Sequence, residues 1–173
     1  PESAFLADSG DPGGTLLGLS IGVDAYEDPR IAPLSYAASD TRHLSRALEA
    51  NLGGYYRRVE LRHLVDEDAT PEEIMDRLDH MIRRAEPGDT LVFSFSGHGL
   101  RGRGGGFFLA TSGTDSRHLE QTALPWSRIA EILSNARSRV LVFLDACHAG
   151  LAGEHLSSND EAVAALMNQM SAP

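Results

Sequence analysis

Thr90-Leu91-Val92-Phe93-Ser94-Phe95-Ser96-Gly97-His98-Gly99 is an apolar run that stops abruptly in two glycines around a histidine. Arg139-Val140-Leu141-Val142-Phe143-Leu144-Asp145-Ala146-Cys147-His148-Ala149-Gly150 repeats the form, ending in an aspartate, a cysteine and a second histidine. Short runs rich in β-branched and aromatic residues, bounded by small turn residues, read as strands buried on both faces, as in parallel sheets. Ligands of open parallel sheets bind beyond the carboxyl ends of the strands, so the two reactive turns are expected at one edge.

Working outward, Leu16 to Val23 reads as another buried strand, and Val59-Glu60-Leu61-Arg62-His63-Leu64-Val65 alternates as a half-buried one. Between them, Ser39 or Asp40 is the expected cap of a helix with Leu44, Ala47 and Leu48 on one face, stopped near Gly53-Gly54. Thr70-Pro71-Glu72-Glu73 carries a capping box with proline at the first helical position, followed by Ile74, Leu78, Met81 and Ile82 at helical spacing. Pro87-Gly88 ends that helix. Phe107 to Ala110 predicts a short extra strand, Pro125 opens a helix with Ile129, Ile132 and Leu133, and Asp160 onward suits an Ala-rich helix. Residues 1–14 read as a flexible lead-in and 15–173 as one domain. Strands alternating with helices predict an α/β fold, a mostly parallel central sheet of about four main strands with helices on both faces.

The composition narrows the function classes. Net charge is −10, which disfavours nucleic-acid partners and suits a basic substrate. No apolar run is long enough to span a bilayer, so no membrane partner is expected. All 15 cationic residues are Arg; without Lys, neither Schiff-base chemistry nor a P-loop can arise from these residues. A single Cys forms no internal disulfide and points to a reducing, cytoplasmic setting. The first residue is Pro1 and not Met, from which a cut or processed fragment is expected.

A lone Cys is ordinarily a small core residue. Cys147 is set apart by His98, about 50 residues upstream at the end of another strand, where an imidazole can deprotonate a thiol. The amides of Gly99 and Cys147 are candidate oxyanion donors. Gly97-His98-Gly99-Leu100-Arg101-Gly102 also satisfies the G-x-G-x-x-G dinucleotide pattern, but Arg101 to Gly106 is too glycine-rich to open the helix that pattern needs. A metal site from His98, Asp145, Cys147 and His148 lacks the recurrent ligand pairs of zinc centres.

Ser-Gly-His-Gly after one strand and Asp-Ala-Cys-His-Ala-Gly after another resemble the caspase–metacaspase clan of cysteine peptidases, over roughly residues 15–155. The likeness is closer to metacaspases and bacterial caspase-like peptidases than to animal caspases. It implies a caspase-type three-layer sandwich, with this chain as the large catalytic subunit. It also implies peptide-bond hydrolysis through a thioester, with Cys147 as nucleophile and His98 as general acid/base. Animal caspases carry Gln two residues before the Cys; Asp145 here implies a pocket for a basic residue, with Asp40 and Ser96 as its other members. Cleavage after Arg, with Lys as second choice, follows. Asp40 also reads as a carboxylate stabilised by the dipole of its helix.

Many metacaspases bind calcium through paired acids after the His motif. Thr122-Ala123-Leu124-Pro125-Trp126 has none, so neither calcium nor another cofactor is expected. The resemblance also implies further strands from a small subunit cut from the same precursor, with activating processing in the loop Leu151 to Asn159. A silent caspase-like interaction scaffold and a separase-like member of the clan are the competing readings. Gly102 to Gly106 and Tyr55-Tyr56-Arg57-Arg58 read as surface connections, and His43, His63, His80, His118 and His155 have no identifiable partner.

Overall fold

The computed structural model describes residues 13–52 and 54–146. In chain order these form β1 (Gly13–Gly22), α1 (Ala37–Leu52), β2 (Tyr56–Val65), α2 (Pro71–Arg84), β3 (Thr90–Ser96), β4 (Gly99–Arg101), β5 (Phe107–Leu109), α3 (Leu119–Thr122), β6 (Leu124–Pro125), α4 (Trp126–Ser134) and β7 (Arg139–Asp145). The main sheet is wholly parallel, in the order β2-β1-β3-β7. This is the expected α/β architecture. The suggested helix from Asp160 lies outside the described residues.

Alternate residues of each strand face opposite layers. One face carries Leu17, Leu19, Ile21, Leu91, Phe93 and Phe95, packed with Ile74, Leu78 and Met81 of α2 and Trp126, Ile129 and Leu133 of α4. The other carries a smaller cluster, Leu16, Leu61 and Val92, against Leu48 and Leu52 of α1. Toward the carboxyl end this second face becomes small and polar: Gly18, Ser20 and Gly22 on β1, Ser94 and Ser96 on β3. A methyl on Gly22 would lie 2.5 Å from both the Ala37 carbonyl oxygen and Thr41 Oγ1, so β1 has no room there for a side chain under α1.

Three predicted details are corrected. The α1 cap is neither Ser39 nor Asp40. The helix starts at Ala37, where the carboxylate of Asp24 accepts the N–H groups of Ala37 (2.8 Å) and Ala38 (3.1 Å) from outside the helix. Its inward face is Ala37, Ala38, Thr41 and Ser45, whereas Ala47 is exposed. Nor is β7 covered on both sides among the described residues. Val140, Val142 and Leu144 join the main core, while Leu141 and Phe143 on the α1 face are 38% and 44% exposed. By contrast the α2 cap is as read: Thr70 Oγ1 accepts the Glu73 N–H at 3.2 Å, with Pro71 at the first helical position. The Glu73 carboxylate turns instead to Arg77, 2.6 Å away. Tyr56, Arg57 and Arg58 belong to β2 rather than to a turn.

After β3 the chain forms a small antiparallel sheet, β4-β5-β6. Only β5 was anticipated; β4 and β6 are three and two residues long. Replacing Asp24 with Ala removes both α1 capping bonds and is expected to destabilise the fold by about 1–2 kcal/mol in chemical denaturation; unchanged stability contradicts the cap.

Candidate active site

Ser96 at the end of β3 is the register partner of Asp145 at the end of β7. The pairing continues one step further, with the Gly97 N–H donating to the Asp145 carbonyl at 3.1 Å. His98 and Cys147 each follow two residues after these paired positions. Cys147 itself, with His148 and the loop Leu151 to Asn159, lies outside the described residues. Ala146, immediately before it, sits beside the His98 turn: a Cβ built on Gly99 would be 3.5 Å from the Ala146 Cβ.

His98 is buried, at 7% exposure, and held from three directions. Its Nε2 is 2.8 Å from the Ala32 carbonyl oxygen. A carbonyl oxygen only accepts, so Nε2 carries the proton in this contact and the neutral ring keeps its Nδ1 lone pair free to act as a base. The His98 backbone N–H donates to the Tyr26 hydroxyl (3.1 Å), which donates to the Val23 carbonyl (3.0 Å). The Tyr26 and His98 rings lie 5.2 Å apart, tilted by 38°. The His98 carbonyl accepts from Ala110 N–H at 2.9 Å. Neither Tyr26 nor Ala32 was singled out in the sequence, and a backbone carbonyl leaves no side-chain signal that could have revealed it.

The flanking glycines serve close packing rather than an unusual turn, since Gly105 (φ 81°) is the only left-handed glycine among the described residues. A Cβ on Gly97 would meet the Phe95 ring at 2.9 Å, and one on Gly99 the Phe107 ring at 2.5 Å. Gly99 opens β4 opposite Leu109. Because the neighbouring His98–Ala110 pair is hydrogen-bonded, alternation of the antiparallel ladder turns the Gly99 N–H away from β5. The glycine pattern after β3 therefore enters a strand and not a helix, which removes the dinucleotide reading.

Asp40, Ser96 and Asp145, from α1, β3 and β7, line one cleft of about 450 Å³ together with Thr41, Leu44 and Phe143. Two carboxylates line it, and among the described residues none of the lining is cationic. Among the described residues, no group of three or more His, Cys, Asp or Glu is placed to hold a metal ion, and no helix is long and apolar enough to cross a membrane. His118, without a partner in the sequence reading, contacts Asp115 through Nδ1 at 2.8 Å.

Burial, more than the nearby Asp24 and Asp66, pushes the Tyr26 phenol from 10.0 up to about 12, against the opposing hydrogen bond from His98. A raised folded-state value favours the protonated, folded form. This contribution is full below pH 10 and is lost as pH rises from 10 through about 12. With no lysine to titrate in that window, ultraviolet phenolate titration should show one late-ionising tyrosine that disappears in Tyr26→Phe. The variant should also lose less stability than the wild type between those pH values; a fully early-titrating wild type contradicts the burial.

The model of the caspase domain matches residues 17–171, a span that includes both His98 and Cys147. The crystal structure of protein GSU0716 from Geobacter sulfurreducens superposes with a TM-score of 0.63 at 19% identity, covering 79% of this chain and 52% of that one. This chain thus spans about half the length of that protein, and at this identity the likeness speaks for the fold alone. No curated protein matches. The parallel sheet, His98 just beyond the carboxyl end of β3 and the family match lead to one conclusion: the chain belongs to the caspase domain family of cysteine peptidases.

Proposed function

We propose that this chain is the catalytic large subunit of a caspase-like cysteine endopeptidase of the metacaspase and bacterial type, cleaving proteins after Arg and, second, Lys. The observation that carries the specificity is the cleft in which Asp40, Ser96 and Asp145 converge, two carboxylates with no cation among the described lining residues, at the strand ends that lead to His98 and Cys147. Such a cavity repels an aspartate side chain and suits a planar guanidinium, which carboxylates hold through paired charge-assisted hydrogen bonds.

The mechanism follows from the orientation of His98. With Nε2–H anchored on Ala32, Nδ1 accepts the Cys147 thiol proton, and the thiolate attacks the substrate carbonyl carbon. The amides of Gly99 and Cys147 are the donors proposed for the resulting oxyanion. Nδ1–H then protonates the leaving amine, giving a thioester. Water, deprotonated by the same nitrogen, hydrolyses that thioester and releases the carboxylic acid and the thiol. A small subunit from the same precursor completes the substrate groove, and cleavage within Leu151 to Asn159 activates the enzyme.

Profiling of the full-length protein on fluorogenic peptides that differ only at the residue before the scissile bond tests this reading. Arg substrates should be cut fastest, and Cys147→Ala should abolish turnover. Asp145→Asn should lower kcat/KM on Arg substrates by about tenfold or more. Preference for Asp refutes the pocket, and activity surviving Cys147→Ala refutes the nucleophile. A folded, processed wild type without peptidase activity favours the scaffold reading.

A further inference from the structure

The Ala32 carbonyl that orients His98 sits in the segment between β1 and α1, and both Ala32 and Pro33 are exposed. Its position must therefore be set by neighbouring residues. Two residues before it, Arg30 donates to Asp28 through Nε (2.8 Å), Nη2 (2.8 Å) and its backbone N–H (3.0 Å). Asp28 is almost wholly buried, its side chain 4% exposed, and it takes a fourth donor, the Ser116 N–H, at 2.8 Å. Its carboxyl is held far below the usual carboxylate range, chiefly by Arg30, so it stays charged. The same Arg30 Nη2 reaches Asp115 Oδ1 at 2.9 Å. The Glu27 N–H donates to the Ser112 carbonyl, and the Ile31 N–H to the Asp28 carbonyl, both at 2.9 Å.

These bonds close a circuit. From His98 the chain runs through β4 and β5, where Ala110 is tied back to the His98 carbonyl, to residues 111–116. The ion cluster crosses from there to residues 28–30, and Ala32 returns to the imidazole. Ile31, 4% exposed, seats the middle of the circuit among Leu100, Phe108, Ala110 and Leu119. Exposed ion pairs contribute little stability as a rule, but here a forked guanidinium spans a buried and an exposed carboxylate from two different loops.

We infer that Arg30 is a positioning residue for His98: by bridging Asp28 and Asp115 it fixes the Ala32 carbonyl against Nε2, and so keeps the imidazole in one orientation and one tautomer. The inference rests on the reading of His98 as the general acid/base, but one of its tests does not depend on catalysis.

That test is nitrogen NMR of the His98 imidazole in the full-length protein, compared among wild type, Arg30→Gln, Arg30→Lys and Asp115→Asn. The wild type should show a single Nε2–H tautomer and Arg30→Gln a mixture. On an Arg peptide, Arg30→Gln should lower kcat about ten- to hundredfold while KM stays within about twofold, as displaced catalytic groups do. Arg30→Lys keeps the charge without the fork and should recover only part of the loss. Asp115→Asn leaves the Arg30–Asp28 pair in place and should show a smaller change of the same kind; it decides the matter if Arg30→Gln does not fold. A folded variant with a lowered melting temperature but an unchanged His98 tautomer and kcat overturns the inference. If the wild type cuts no peptide, the peptidase reading fails while the tautomer signal still decides the positioning role.

Discussion

Parallel pairing of β3 with β7, in one register from Thr90–Arg139 to Ser96–Asp145, governs the geometry at this end of the molecule. Parallel strands deliver their carboxyl ends to the same edge, so a residue placed two positions beyond each end starts from neighbouring, equivalent points. An antiparallel pairing of the same two sequences would put the His98 turn and the Asp145 turn at opposite edges. The extra hydrogen bond from Gly97 to the Asp145 carbonyl carries the alignment past the last ladder pair, as far as the turn itself.

The unequal faces of the sheet supply the second ingredient. Bulky residues concentrate on the face covered by α2 and α4, where Phe93, Phe95 and Trp126 fill the space. On the α1 face the carboxyl halves of β1 and β3 carry only glycine and serine, and α1 presses close enough at Gly22 to exclude a methyl group. Beyond β3 that helix no longer covers the sheet, because β7 lies one strand further out. The cleft opens at this step, and its acidic lining comes from one residue on each bank, Asp40 on α1 and Asp145 on β7. Among the described residues, tight packing over β1 and an open groove over β7 thus have one cause, the placement of a single helix over the sheet.

Much of this was legible in the sequence because it depends on local patterns. β3 and β7 were readable from end to end, and Thr70-Pro71-Glu72-Glu73 marked the start of α2, since each signal lies within a few consecutive residues. The hidden features all depend on residues distant in sequence. Asp24 caps a helix that begins thirteen residues later. The strands β4 and β6 are too short for any periodicity to emerge and exist only because β5 lies between them. Tyr26 finds the His98 amide across 72 positions, and Ala32 finds the imidazole across 66. The two glycines around His98 drew attention as turn residues, yet the aromatic rings of Phe95 and Phe107 are what require them. For the candidate site, Asp40, Ser96 and Asp145 were suggested by the family resemblance, whereas the groups that hold the histidine left no signal in the sequence.

Orienting an imidazole with a backbone carbonyl has a different consequence from orienting it with a carboxylate, the arrangement of serine-protease triads. A carboxylate adds a full negative charge beside the ring. The Ala32 carbonyl selects the Nε2–H tautomer, whereas a triad carboxylate accepts from Nδ1–H; the carbonyl carries no net charge and does not titrate. At a sheet edge where a separate cleft already carries Asp40 and Asp145, a third carboxylate would add to the repulsion between like charges. The neutral acceptor avoids that, but a carbonyl cannot be swung into place by its own side-chain torsions. Its position is the position of its loop, and the aim of His98 is therefore only as good as the anchoring of residues 28–32. This is why a charged cluster that makes no hydrogen bond to the histidine is inferred to belong to the same mechanical unit as the His98 turn.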